Sequence, residues 1–280
     1  LNTQGFYSEW RTLTNGEKVL DILVNLAPGE EKWVAFSSDS QTVEDMAYAE
    51  LSVRTGGQWQ GKKYQADGFS FENVDQFDSP EQLTDHSYYL RYEGPGWEND
   101  LIGYRLYLDW RNGIDVFAKT GTKPALAGVG QDGYDSYHEL ADWGADVLKV
   151  GPSLGLGALG RLDGDNVMHF QNVDNTSWKL LEDNKLSASF NVSYQGWSVK
   201  DKKVDVSTDY TIHAGDPTTL INVTLSEPID NLVTGLVIHG KTNFIKQQYK
   251  DWVVIATYGE QSVAAEGDEL GLALFYQTNE

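Results

Sequence analysis

The sequence predicts an all-β protein, a large antiparallel β-sandwich of the supersandwich kind with short helical or loop insertions. Three observations carry this. Runs such as VSTDYTIH and TTLINVTLSE alternate apolar and polar residues with the period of a half-buried strand. Gly, Asn, Asp and Pro punctuate these runs at regular spacing, as in an antiparallel sandwich. Finally, 9 Trp, 15 Tyr and 10 Phe suit pleated sheets and supply ample apolar area to bury, worth roughly 25 cal/mol per Å². The sequence shows no repeat of about 20 to 50 residues, which disfavours a propeller or solenoid. With no Pro/Ser-rich linker, residues 1–280 read as one domain.

In chain order, residues 13–37 read as a strand after an Asn15-Gly16 turn, broken at Pro28-Gly29, with Trp33, Ala35 and Ser37 opening the next. Residues 42–56 read as strand. YYLRYEGPGWENDLIGYRLYLDW (88–110) gives two strands separated by Gly94-Pro95-Gly96, since proline cannot donate to a ladder. Residues 136–148 read as a short helix or loop, and 151–161 as a glycine-rich segment that lets backbones approach closely. Seven further strands follow Asp163-Gly164-Asp165, from VMHFQNV to GLALFYQ.

A net charge of -21 argues against nucleic acid and anionic membranes, whose binding needs clustered Lys and Arg. The absence of cysteine excludes disulfides, zinc thiolates and thiol nucleophiles. No apolar run of about 20 residues occurs, and Leu1 in place of Met fits a trimmed chain, so the expectation is a secreted or periplasmic protein whose leader has been removed.

The densest titratable cluster lies in ENDLIGYRLYLDWRNGIDVF and the following YHELADWGADVLK. It holds Glu98, Asp100, Tyr104, Arg105, Asp109, Arg111, His138, Asp146 and Lys149. Ionised groups near an interior need partners or a ligand, so this is either a structural ion network or a site. On a strand Tyr104 and Leu106 face one side while Arg105 and Tyr107 face the other. Among five histidines, His138 is the best proton shuttle, an imidazole titrating near about 6.5. His239 with Lys241 ends an apolar strand and suits either a groove edge or a hydrogen-bonded strand end. His86, His169 and His213 read as loop or spacer positions. Trp10, Trp33, Trp110, Trp178, Trp197 and Trp252 read mostly as core. Trp59, Trp97 and Trp143, in glycine- or acid-rich surroundings, read as platforms for a sugar face. No metal or cofactor is expected. The one oxygen-rich loop, Asp163, Asp165 and Asn166, admits calcium but lacks the full twelve-residue pattern.

The order WENDLIGYRLYLDW, GIDVFAK, YH, WGADVLKVGPSLGLGALG, over roughly residues 97–161, resembles the bacterial domain-of-unknown-function 4861 family. The resemblance implies a sugar-active β-sandwich associated with breakdown of uronic-acid polysaccharides, and carries no catalytic residues with it. The expected partner is therefore an acidic oligo- or polysaccharide. The expected reaction is β-elimination of alginate, pectin or similar glycans. Arg105, Arg111 or Lys149 would pair with the uronate, His138 would take the C5 proton, and Tyr104 or Tyr137 would protonate the leaving oxygen. Trp97, Glu98, Asp100, Tyr137, Trp143, His239 and Lys241 would line the groove. The alternatives are a glycoside hydrolase using Glu98 and Asp100 or Asp142 and Asp146, and a non-catalytic sugar-binding module. An epimerase or mutarotase is a further one. The catalytic expectation requires Arg105, His138 and Lys149 to converge on one aromatic-walled groove.

Overall fold

The computed structural model describes residues 2–3, 6–13, 15–37 and 44–278. The chain is all-β, 53% strand and 3% helical. Three short 3-10 turns, Arg91–Glu93, Leu126–Gly128 and Ser136–His138, supply the helical part.

The site rests on a five-stranded antiparallel sheet ordered Gly144–Asp146, Ile114–Lys119, Ile102–Leu106, Gly96–Asn99, Ala47–Glu50. A second five-stranded sheet is ordered Gln76–Asp78, Asn175–Asp183, Ser187–Val199, Lys202–His213, Thr219–Leu225. Two three-stranded sheets follow: Asn166–Met168, Leu156–Asp163, Leu232–Leu236, and Lys241–Tyr249, Trp252–Glu260, Leu270–Gln277.

The two five-stranded sheets face each other across one continuous aromatic core. Trp97 lies 5.1 Å from Phe190 and 5.6 Å from Tyr210, ring to ring, and stacks on Tyr104 of its own sheet. Its indole N–H donates to Thr219 Oγ1 at 2.8 Å, which satisfies the one polar group a buried tryptophan carries.

The four larger sheets are arranged as a four-bladed, propeller-like ring and not as an explicit two-layer sandwich. The missing repeat that disfavoured a propeller has a physical reason. The sheets hold five, five, three and three strands. Three of them also recruit an edge strand from far along the chain, Ala47–Glu50 beside Gly96–Asn99, Gln76–Asp78 beside Asn175–Asp183 and Leu232–Leu236 beside Leu156–Asp163, so no fixed period arises.

Several local readings change. The strand expected after the Asn15-Gly16 turn forms at Lys18–Leu23, paired with a strand Tyr7–Thr12 not expected from the sequence, but residues 24–35 form no strand and Trp33 is 94% exposed. Residues 88–93 are a 3-10 turn and irregular chain, while 96–106 is a tight hairpin and not one strand. Asp163-Gly164-Asp165-Asn166 is a two-residue hairpin turn, with Asp163 opposite Asn166 and Gly164 at φ +60. The turn chemistry accounts for its oxygen-rich composition without a cation.

Candidate functional site

Alternation along the first sheet divides its residues cleanly. Ala47, Ala49, Trp97, Tyr104, Leu106, Val116 and Ala145 point into the core shared with the second sheet. Their neighbours Tyr48, Glu50, Glu98, Arg105, Asp115, Phe117 and Asp146 share the opposite face, as the register Arg105↔Asp115 and Phe117↔Asp146 requires. Loops carrying Tyr92, Leu126, Val129, Tyr134 and Tyr137 close over that face and form a second apolar cluster with Phe117. Four carboxylates are thus buried under aromatic rings, and each must find a partner.

They do so in three units. Glu50 pairs with Arg91 and accepts from Tyr92 Oη, Tyr48 Oη and Ser52 Oγ. Glu98 accepts from Lys119 Nζ at 2.6 Å and from the backbone N–H groups of Ala125 and Leu126, both at 2.7 Å. Arg105 donates to Asp115 at 2.7 Å and to Asp146 at 2.6 Å, and to the hydroxyls of Tyr107 and Tyr137. Its guanidinium also lies within 4.8–5.4 Å of the Tyr107, Tyr137 and Phe117 ring centres.

Four carboxylates (Glu50, Glu98, Asp115, Asp146) therefore face three cations (Arg91, Arg105, Lys119). One negative charge is in excess. The excess is relieved at Asp146, whose carboxyl is pushed up to about 7 by burial, against the pull of Arg105 and with the help of Asp115. Directly above it stands His138, its side chain 50% exposed and its Nε2 3.5 Å from Asp146 Oδ2. The 3-10 turn Ser136–His138 places it there, with Tyr137 pointing down onto Arg105 and His138 pointing out. Nε2 faces the carboxylate, and Nδ1 has no hydrogen-bond partner among the described residues. This is an acid–base pair oriented by a buried network, the arrangement that sets a histidine's tautomer.

A second network adjoins the first through the Tyr107 ring, which carries Arg105 on one contact and Arg111 at 4.1 Å on another. Arg111 pairs with Asp109, Glu93 and Asp85. Asp85 in turn holds His86 Nδ1 at 2.5 Å. Burial alone would raise the Asp85 carboxyl, but His86 and Arg111 hold it below its ordinary value. The ligand atoms of Asp85, His86 and Glu93 lie within 4.8 Å of one another, a separation a metal ion could span. Arg111 already stands between Asp85 and Glu93, where its single positive charge is shared by three carboxylates, Asp85, Glu93 and Asp109.

Backbone strain concentrates here. Of eight non-glycine residues at positive φ among the described residues, five belong to this region: His86 (53), Tyr88 (60), Tyr92 (38), Glu93 (71) and Asn112 (47). Each costs of order 1–3 kcal/mol, and such residues cluster at working sites. His86, read from sequence as a loop residue, and Tyr88 and Tyr134, stacked at 4.7 Å, form the wall between the two networks.

The other sequence candidates fall as follows. Arg105 is 2% exposed and fully paired, so it holds Asp146 in place and cannot meet a substrate carboxylate. Tyr104 lies on the core face and donates to the Pro217 carbonyl at 2.5 Å, out of reach of His138. Trp97 is core and not a platform, because its alternation with Glu98 puts it on the inward side. Glu98 is 0% exposed and ties down the 125–126 backbone. Tyr137 is buried against Arg105, its hydroxyl pushed up to about 12 mainly by burial. Asp100 caps the Gly215 N–H at 2.7 Å.

His239 donates from Nε2 to the Lys149 carbonyl, a strand-end tie, while Lys241 is 89% exposed and 4.0 Å from Glu260. Lys149 is exposed, with no side-chain partner among the described residues. Trp143 is half-buried, edge-on to Phe117 at 5.8 Å. The groove in which Arg105, His138 and Lys149 would converge is thus not formed, since Arg105 is locked into pairs beneath the surface; the catalytic set expected from the sequence does not assemble, and His138 beside Asp146 is what remains of it. Two shallow hollows, of 240 Å³ beside Ser193 and Asp205 and 200 Å³ beside Ser187 and His213, lie on the second sheet, and His138 lines neither.

The Asp146 shift has a consequence for stability. An unfolded aspartate ionises near about 3.9, so between there and about 7 the folded chain retains a proton that the unfolded chain has lost. Stability falls as pH rises through that window, by up to about 4 kcal/mol, and levels off above it. Urea unfolding at about pH 5 and about pH 8 checks this, and Asp146→Asn should remove this component of the pH dependence.

The fold and site define an all-β protein with a buried ion network under a surface acid–base pair. The chain belongs to the family described as domain of unknown function (DUF4861), whose match spans residues 15–280. No curated protein and no solved structure matches it.

Proposed function

We propose that this protein is a carbohydrate-active enzyme that cleaves uronic-acid-containing glycans by β-elimination, with His138 as its acid–base residue. The observation that carries the reading is the half-exposed His138 imidazole 3.5 Å from the buried Asp146 carboxyl, itself held by Arg105. Neutral His138 takes the C5 proton on Nδ1. The C5–H electron pair forms the C4–C5 double bond, the C4–O bond breaks, and the imidazolium returns the proton to the leaving oxygen. One residue then serves as base and acid, which replaces the roles expected of Tyr104 and Tyr137.

Asp146 favours the imidazolium during the transfer, and Arg105 acts as a positioning residue for Asp146. The two facing five-stranded sheets support reading this unit as the sandwich layer that carries the site. The substrate class rests on the resemblance to a family associated with uronic-acid breakdown, and a secreted or periplasmic setting goes with it. Paired-carboxylate hydrolysis is the weaker reading. Glu98 and Asp146 are buried in ion pairs, so neither expected pair, Glu98 with Asp100 or Asp142 with Asp146, offers two free carboxyls to flank a glycosidic bond.

Of the three cations expected to meet a substrate carboxylate, only Lys149 is exposed and unpaired among the described residues. Incubation with alginate, polygalacturonate, ulvan and glucuronan tests the reading through the ultraviolet absorbance of the unsaturated product. Wild type should raise absorbance on at least one polymer, and Lys149→Ala should lower the rate chiefly through KM. No rise on any of the four removes the elimination reading.

A further inference from the structure

The C-terminal three-stranded sheet has one face that nothing in the described structure covers. Its ladders run in register without a bulge from Lys241↔Glu260 to Tyr249↔Trp252, and from Trp252↔Gln277 to Gly259↔Leu270. Side chains therefore alternate strictly between two faces. The inner face buries Val253, Thr257 and Leu272. The outer face presents Tyr249 (71% exposed), Trp252 (43%), Phe275 (51%) and Tyr258 (50%), with Ile245 between them. Trp252 and Tyr249 are paired directly across two strands, and Phe275 lies diagonally next to them opposite Val254. From Trp252 to Tyr258 the platform extends about 20 Å at about 3.3 Å per residue.

Two further features say what this face suits. Twelve of its positions, from Asn243, Ile245, Gln247 and Tyr249 through the two partner strands, carry no charge, in a chain that is 22% charged with net charge -21, and its two charged positions, Lys241 and Glu260, lie opposite each other at the end away from Trp252. Its amides, on Asn243, Gln247 and Gln277, make no side-chain hydrogen bond to the described protein and can meet hydroxyls. The charged groups sit at its margin, with Lys250 near the Tyr249 ring and Glu269 accepting from the Tyr258 hydroxyl. Flat aromatic surface interleaved with free amides matches the apolar faces and hydroxyl rims of pyranose rings. The one cation on the face, Lys241, lies 4.0 Å from Glu260 at the end away from Trp252, so the aromatic platform within this strongly acidic protein disfavours a polyanion.

We propose that this face binds a neutral, extended polysaccharide, with Trp252, Tyr249 and Phe275 as the stacking platform. The proposal does not rest on the His138 reading, because it concerns a different sheet and a different charge class of glycan.

Affinity gel electrophoresis of the full chain in xyloglucan, galactomannan, mixed-linkage β-glucan and polygalacturonate tests it. At least one neutral polymer should retard wild type, and Trp252→Ala with Tyr249→Ala should weaken that retardation roughly tenfold or more at unchanged Tm. Phe275→Ala alone should give a smaller loss in the same gel. Retardation by polygalacturonate only, by no polymer, or undiminished in the variants overturns the proposal. So does a wild-type dimer in light scattering that the variants convert to monomer, which would make the face a self-association surface.

Discussion

Replacing Arg105 with methionine should remove about 3–5 kcal/mol of stability and lower Tm by on the order of 10 °C. The methionine side chain fills much of the space, so the loss is electrostatic. Asp115 and Asp146 would be left buried, 1% exposed each, without their shared cation, and the Tyr107 and Tyr137 hydroxyls would lose a donor. Removing one partner of a buried network leaves uncompensated charge, whereas replacing all partners by apolar residues need not. Accordingly Arg105→Met combined with Asp115→Leu and Asp146→Leu should recover much of the loss. Thermal unfolding of the single and triple variants checks both statements. A single variant as stable as wild type would contradict the network described here.

His138→Ala is expected to act on rate and hardly at all on stability. The side chain is half exposed and joins the network only at its outer end, so Tm should move little, within about 0.5 kcal/mol in stability terms. Removal of a positioned general acid–base lowers turnover by about 10² to 10⁴-fold. Turnover on whichever uronic-acid polymer wild type cleaves is the measurement. A variant that retains full turnover would leave His138 as a surface residue only.

Much of the fold was legible because alternation and turn chemistry are local. The central cluster was legible for the same reason, since Arg105 and Asp115 flank the turn of one hairpin and pair directly across it. Several strands escaped, among them Leu156–Asp163, read only as glycine-rich, and two more with a clear physical cause. Asn175–Asp183 breaks its alternation with adjacent leucines at a bulge near Leu180, and Lys241–Tyr249 is a polar edge strand whose apolar residues face solvent.

Trp97 was misassigned because its glycine and acidic neighbours looked like loop. They are glycine for a different reason, since a side chain at Gly96 would collide with Tyr92. The reverse error holds for Trp10, Trp33, Trp110 and Trp252, expected as core and 38% or more exposed. What no local pattern could give is the meeting of residues 85–93, 105–115 and 137–146. His86 and the Asp85–Arg111 link belong to that tertiary layer, and so does the pairing that takes Arg105 away from any ligand.

The central claim is that a buried carboxyl, at the end of a network with one carboxylate in excess and beside an exposed imidazole, keeps its proton into the neutral range. Carbon-13 NMR titration of the Asp146 carboxyl tests it most directly. The midpoint should fall near about 7, raised by burial. A midpoint in the ordinary aspartate range, near about 3.9, would contradict the account.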